Sequence, residues 1–180
     1  AITIRENDRL LDVKLTNGDN HIVIAKKSGK AIRFHESNAR PMGRVASGVR
    51  GVRLENEDDF VIGMICIARE DSDLLVVSEN GYGKRSSIND YRITKRGGKG
   101  VMTLKTTDKT GNLVSIKEVK TNDELMIINQ SGITIRISIN DENIRVMGRA
   151  TQGVRLIKLN KDDKISSVAK IEIIDDENKE

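Results

Sequence analysis

The sequence predicts an all-β protein, a propeller-like partial ring of blades with about four strands each. Three observations carry this. Ile, Val, Leu and Thr alternate with polar residues at period two, and no segment sustains helical periodicity. Ser-Gly or Asn-Gly turns join the apolar runs in pairs. The whole arrangement recurs, with the turn glycines Gly29, Gly81 and Gly132 lying 52 and 51 residues apart.

Taken in order, residues 1–19 (AITIRENDRLLDVKLTNGD) match the later half of the units that follow, so they read as the trailing half of a preceding blade. Residues 20–72, 73–122 and 123–174 form three full repeats, and residues 175–180 an acidic tail. Each repeat opens with a hairpin: NHIVIAKKSGKAIRF, DLLVVSENGYGKRSSI and DELMIINQSGITIRISI. A second landmark follows in MGRVASGVRGVRL, TKRGGKGVMTL and MGRATQGVRLIKL, whose glycines Gly48, Gly100 and Gly153 are spaced 52 and 53 apart. After each Gly-Val come a strand, a polar turn and a β-branched run, FVIGMICIA, LVSIKEV or ISSVAKIEI. Units of this size and strand content suggest propeller blades. Three do not close most such rings, and the chain opens at Ala1 inside a strand-like run, so it reads as a piece of a longer protein.

The 180 residues are 37% hydrophobic and 32% charged with a net charge of +4, values of a globular protein with a mild basic lean. No apolar run approaches the roughly 20 residues of a membrane span, and no signal peptide is apparent. Cys66 is the only cysteine, which rules out an internal disulfide and favours an intracellular location. It is read as a small buried hydrophobe, and Phe34 and Phe60 as core.

Charge follows the repeat. From Lys26 to Arg53 cations dominate, including Lys26, Arg33, Arg40, Arg44, Arg50 and Arg53, and from Leu54 to Asn80 the balance inverts. The second repeat carries Lys84, Arg85, Arg92, Lys95, Arg96 and Lys99, and the third Arg136, Arg145, Arg149 and Arg155. If equivalent positions fall on one side of a ring, these cations form a band that duplex DNA can follow. Phosphate contacts need spaced cations and closely approachable backbone N–H groups, and the loop of Lys95, Arg96, Gly97, Gly98, Lys99 and Gly100 offers both. Aromatics are 2% of residues, too few for base stacking to be the main mode.

Catalytic signatures fail on inspection. In SENGYGKRSS, Ser78 and Arg85 stand where a P-loop needs glycine and Ser/Thr, and Ser86 replaces the third glycine of a dinucleotide motif. His35 in HESNA lacks the second histidine of a zinc-protease helix, and both His35 and His21 are read as surface groups. No nucleophile arrangement, paired carboxylates or metal set emerges, so no covalent chemistry is expected of the chain.

At Thr94-Lys95-Arg96-Gly97-Gly98-Lys99-Gly100 the chain resembles the C-terminal domain of DNA gyrase A, whose heptapeptide box (Gln, Arg/Lys, Arg, Gly, Gly, Arg/Lys, Gly) it matches at six of seven positions. GKAIRFHESNARPMGRVASGVRGVRL, NGYGKRSSINDYRITKRGGKGV and MGRATQGVRLIKL extend the likeness over essentially the whole chain. The resemblance implies a β-pinwheel, in which neighbouring blades exchange strands and a basic rim wraps double-stranded DNA in the positive sense. It further implies a bacterial, cytoplasmic, nucleoid-associated enzyme in which this chain, the rest of gyrase A, and gyrase B form a heterotetramer. ATP and Mg2+ would serve that whole enzyme, with no cofactor in this chain. The family's cleavage tyrosine belongs to the N-terminal part of gyrase A, and neither Tyr82 nor Tyr91 matches it. Two departures stand out: the box usually lies in the first blade but here in the second full repeat, and Thr94 replaces glutamine. The resemblance therefore implies that the loops of Arg40 and Arg44 and of Arg145 and Arg149 share the DNA. The alternatives are the C-terminal domain of the gyrase A counterpart in topoisomerase IV, which typically lacks a good box, and a propeller serving as a protein-interaction platform.

Overall fold

A computed structural model describes residues 2–67 and 71–171; the acidic tail, Asp175 to Glu180, lies outside them. Eleven strands form the described residues' regular structure, with single 3-10 turns at Glu36–Asn38 and Ile88–Asp90. The hairpins read from the sequence are β1 (His21–Lys26) with β2 (Lys30–His35), β4 (Asp73–Ser78) with β5 (Tyr82–Ser87), and β8 (Glu124–Asn129) with β9 (Thr134–Ser138). Each closes through a glycine at positive φ, as in Gly81 at +78°, whose N–H donates to Ser78 O at 3.1 Å. The β-branched runs become β3 (Val61–Ile67), β7 (Leu113–Val119) and β11 (Ile165–Ile171), each antiparallel to the first strand of its own repeat.

The short strands that follow the Gly-Val landmarks behave differently. β6 (Val101–Met102) and β10 (Val154–Arg155) each pair with the second strand of the repeat before their own. The sheets are therefore ordered β3-β1-β2-β6, β10-β5-β4-β7 and β11-β8-β9. Contiguous repeats and sheets therefore do not coincide: two sheets borrow their fourth strand, the exchange between neighbouring blades that the resemblance implies, and the third sheet has three strands.

Two expectations give way. Residues 2–19 contain no strand: LLDVKL pairs with no strand among the described residues, and Leu10, Leu11, Val13 and Leu15 are exposed. The segment after Gly48 is likewise unpaired as a strand, so the first repeat has three strands where four were expected.

Alternation within the strands explains the layering. In β4 Leu74 and Val76 face the first sheet while Leu75 and Val77 face the third, and all four are fully buried. A strand buried on both faces reads as a continuous apolar run, which is why LLVV shows no polar alternation. One core joins Val23, Ile65 and Ile67 to Leu74, Val76, Leu113 and Ile116. A second joins Leu75, Val77 and Val119 to Leu125, Ile127, Ile165 and Val168. A smaller cluster of Ile22, Ile32, Phe34 and Val52, with Cys66 packed beside it, covers the far face of the first sheet. Phe34 is core as expected, but Phe60 is half exposed, held at the sheet edge with Lys27 Nζ 5.2 Å from its ring centre.

Candidate nucleic-acid interface

The loops between the hairpins and the borrowed strands are built alike. In the second repeat, buried Tyr91 anchors the loop, its hydroxyl hydrogen-bonded to Thr103. Burial pushes the phenol up to about 12, so it stays neutral. Thr94 N–H then donates to Arg33 O at 2.9 Å, and in the third repeat Met147 N–H donates to Arg85 O at 2.9 Å. Each loop is thus laid across the sheet before it, and the residues it raises to the surface recur at equivalent places.

Those residues divide by burial. Arg40, Arg92 and Arg145 occupy matching positions, and they, Lys95 and Lys99 are exposed and form no salt bridge among the described residues. Arg92, Lys95 and Lys99 line one cavity of about 210 Å³ together with Gly98 and Gly100. Three cations without a salt bridge among the described residues, set around glycine backbone, make a concavity suited to an anion.

Arg96 does something else. Its Nε donates to Asn38 O at 2.8 Å and its Nη1 to Arg50 O at 3.0 Å. Arg149 repeats this fork one sheet later, with Nε to Asp90 O at 3.1 Å and Nη1 to Met102 O at 2.7 Å. A planar guanidinium reaches two carbonyls at once, so these arginines clamp each loop to the repeat before it. The signal was present in the sequence, since Arg44, Arg96 and Arg149 each stand four residues before a landmark glycine. Arg44, the first of the set, is exposed, as is Arg50.

Two of the expected contacts are corrected. Lys84 and Arg85, read as part of the basic band, are buried, as are Lys26 and Arg33. Lys84 Nζ donates to Gly148 O at 2.7 Å and Ser86 Oγ at 3.1 Å, and burial holds its ammonium down to about 8. Arg85 donates to Ile144 O at 2.7 Å and Thr121 Oγ1 at 3.0 Å, and pairs with Asp73 and Asp141. A buried charge persists only when its donors are satisfied, and satisfying them commits these cations to the interior. Arg155 is exposed, but it donates to the Tyr82 hydroxyl at 2.9 Å and lines a different cavity, of about 880 Å³, with Asp108, Asp162 and Asp163. Acids and cations mix there, so that cleft does not continue the basic surface.

The histidines are half-buried, not free surface groups. His21 Nδ1 lies 2.8 Å from Arg33 Nη2, and His35 contacts Ser37 and Asp19. Among the described residues no group of His, Cys, Asp and Glu has the arrangement of a metal site.

Comparison with known proteins agrees with this architecture. The family described as the DNA gyrase C-terminal domain, a β-propeller, matches residues 21–68, 72–120 and 123–172. The DNA gyrase A polypeptide of Staphylococcus aureus strain MRSA252 is 46% identical over 182 residues, covering 100% of this chain, and that of Ureaplasma parvum is 49% identical over 169 residues, covering 94%. The chain spans 20% of the length of either relative. Among solved structures, a DNA gyrase A C-terminal domain aligns at a TM-score of 0.83 and 26% identity, over 94% of this chain and 57% of that one. The C-terminal domain of a DNA topoisomerase IV aligns at 0.87 and 23% identity, over 95% of this chain and 52% of the other, a likeness of fold. With the family matched three times along its sequence and strands exchanged between its repeats, the chain belongs to the DNA gyrase C-terminal domain family of β-propellers.

Proposed function

We propose that this chain binds duplex DNA along the loops that cross its sheets and bends the duplex around them, as the wrapping module of a type II topoisomerase. The reading rests on one observation: Arg40, Arg92 and Arg145 are exposed at the same place in each repeat, and Lys95 and Lys99 join Arg92 around glycine backbone in the middle one. Cations at regular intervals suit phosphates at regular intervals, and the scarcity of exposed aromatics leaves backbone contact as the mode. In the whole enzyme the chain would work beside the rest of gyrase A and beside gyrase B, with ATP and Mg2+ used there to drive negative supercoiling. Its setting would be the bacterial cytoplasm and nucleoid.

The experiment is affinity for a duplex of about 40 base pairs across a salt series, for the parent chain and a Lys95→Ala/Lys99→Ala variant. Arg96 is left in place because its removal would release the loop as well as a charge. Each lost phosphate contact flattens the slope of log affinity against log salt by about 0.9, so the variant should lose roughly 1.8. Affinity should fall on every sequence alike. An unchanged slope would remove the middle loop from the DNA interface.

A further inference from the structure

The loops that carry the exposed arginines repeat a second feature beside them. Pro41, Ile93 and Val146 each follow the arginine directly, 52 and 53 residues apart, which is also the spacing of the landmark glycines. All three are exposed, Ile93 at 56% and Val146 at 49%. Neither Ile93 nor Val146 joins the apolar clusters that hold the sheets together.

Their exposure is fixed by the backbone. Ile93 forms a parallel bridge with Arg33, and Val146 repeats it with Arg85. The next residue in each copy, Thr94 or Met147, donates its N–H to the carbonyl of that same buried arginine at 2.9 Å. A side chain held out from pinned backbone loses little freedom on meeting a ligand. Successive side chains of extended backbone take opposite sides. Arg92 and Thr94 accordingly line the cavity shared with Lys95 and Lys99, and Ile93 between them faces away from it. The loop thus sets a cation on one side of its backbone and an apolar group on the other, and the same bridge gives Arg145 and Val146 the same arrangement.

We propose that Ile93 and Val146, with Pro41 in the first copy, pack against the deoxyribose rings that wall the minor groove of the bound duplex. The inference rests on the DNA-binding reading above and adds a contact to it. A DNA strand alternates a charged phosphate with a sugar whose C–H face is largely apolar, and each loop places arginine beside Pro, Ile or Val in the same order. With a phosphate on Arg92, the next group along the strand is a sugar, and its C–H face covers Ile93. An apolar protein surface would fit the three side chains but would leave beside each an arginine that forms no salt bridge among the described residues. Every nucleotide carries the sugar, so the contact has no base preference. It releases no counterions, so it adds affinity without steepening the salt dependence.

The test compares the parent chain with Ile93→Ala/Val146→Ala on a duplex of about 40 base pairs across a salt series, with inorganic polyphosphate as a second ligand. Every cation remains, so the slope of log affinity against log salt should match the parent's while duplex affinity falls roughly tenfold at each salt concentration. Polyphosphate presents the charge without the sugar, and parent and variant should bind it equally. Duplex affinity equal to the parent's at every salt concentration would overturn the inference and leave the DNA-binding reading standing. A parent chain with no salt-dependent affinity for duplex would end both. An equal loss on polyphosphate would mean that the alanines displace the arginines, and Ile93→Thr/Val146→Thr then decides. Threonine keeps the branched shape that suits extended backbone but turns a hydroxyl toward the sugar. That variant should lose affinity for duplex and keep it for polyphosphate; full duplex affinity, or an equal loss on both ligands, would overturn the inference.

Discussion

Arg85 and Asp141 form one ion pair, yet removing either member has a different consequence for stability. Arg85 spends its donors inside, on Ile144 O, Thr121, Asp73 and Asp141, while Asp141 itself is mostly exposed. Arg85→Met should therefore cost about 1–3 kcal/mol, by leaving buried Ile144 O without its donor and half-buried Asp73 without its cation. Asp141→Asn removes a solvated partner and should cost at most about 1 kcal/mol. Urea titration of both variants checks the asymmetry, and equal losses would contradict the burial argument. Lys84 adds a pH signature. Its ammonium, held by burial to about 8 against a usual 10.5, is protonated at neutral pH in both folded and unfolded chains. Between about pH 8 and 10.5 the folded chain releases this proton first, the unfolded chain binds more protons, and stability due to this residue rises with pH. Relative to Lys84→Met, the parent's urea midpoint should climb across that window; a constant difference would show that water reaches the amine.

At the scale of elements, the loop Thr94–Gly100 rests on glycines with different duties. Gly100 has φ +80° and its Cβ would strike Ala31 O, so Gly100→Ala should destabilise the first sheet's edge by more than about 1 kcal/mol. Gly98 carries no positive φ, and its Cβ would meet Ile32 Cδ1 at an ordinary 3.4 Å. Gly98→Ala should keep the thermal midpoint while weakening duplex binding, since the methyl holds a phosphate off the backbone. A variant with unchanged affinity would make Gly98 a passive spacer. This division was not legible beforehand, because KRGGKG shows composition and not φ. The hairpins were legible, since period-two runs around Ser-Gly and Asn-Gly turns specify both strand and register. What local pattern hid was the source of the fourth strand: Val101–Met102 joins a hairpin about 70 residues earlier, an exchange that the family resemblance implied and the residues of one repeat do not address. It hid equally that Lys84 and Arg85 turn inward, because burial of a cation depends on carbonyls and carboxylates brought by other repeats.

Across the whole molecule, the repeats place one exposed cation each at matching positions, Arg40, Arg92 and Arg145; the loops of Arg92 and Arg145 lie on successive sheets, and Lys95 and Lys99 crowd into the middle loop. Under the proposed wrapping, a short duplex spans one loop and responds to local charge, and a long duplex bends to engage all three. Bending costs on the order of 1–6 kcal/mol for a site of 20–30 base pairs, and only contacts at the outer loops can repay it. The two kinds of cation should therefore separate by duplex length. Arg40→Ala/Arg145→Ala should leave affinity for a duplex of about 12 base pairs almost unchanged while weakening one of about 40 by the loss of two phosphate contacts. Lys95→Ala/Lys99→Ala should weaken both. Fluorescence energy transfer between labelled ends of the long duplex supplies the independent reading: the outer-loop variant should bind with its ends further apart than the parent does. If the outer-loop variant loses affinity equally at both lengths, or leaves the end-to-end distance unchanged, the three loops act as separate basic patches and the bending path is wrong.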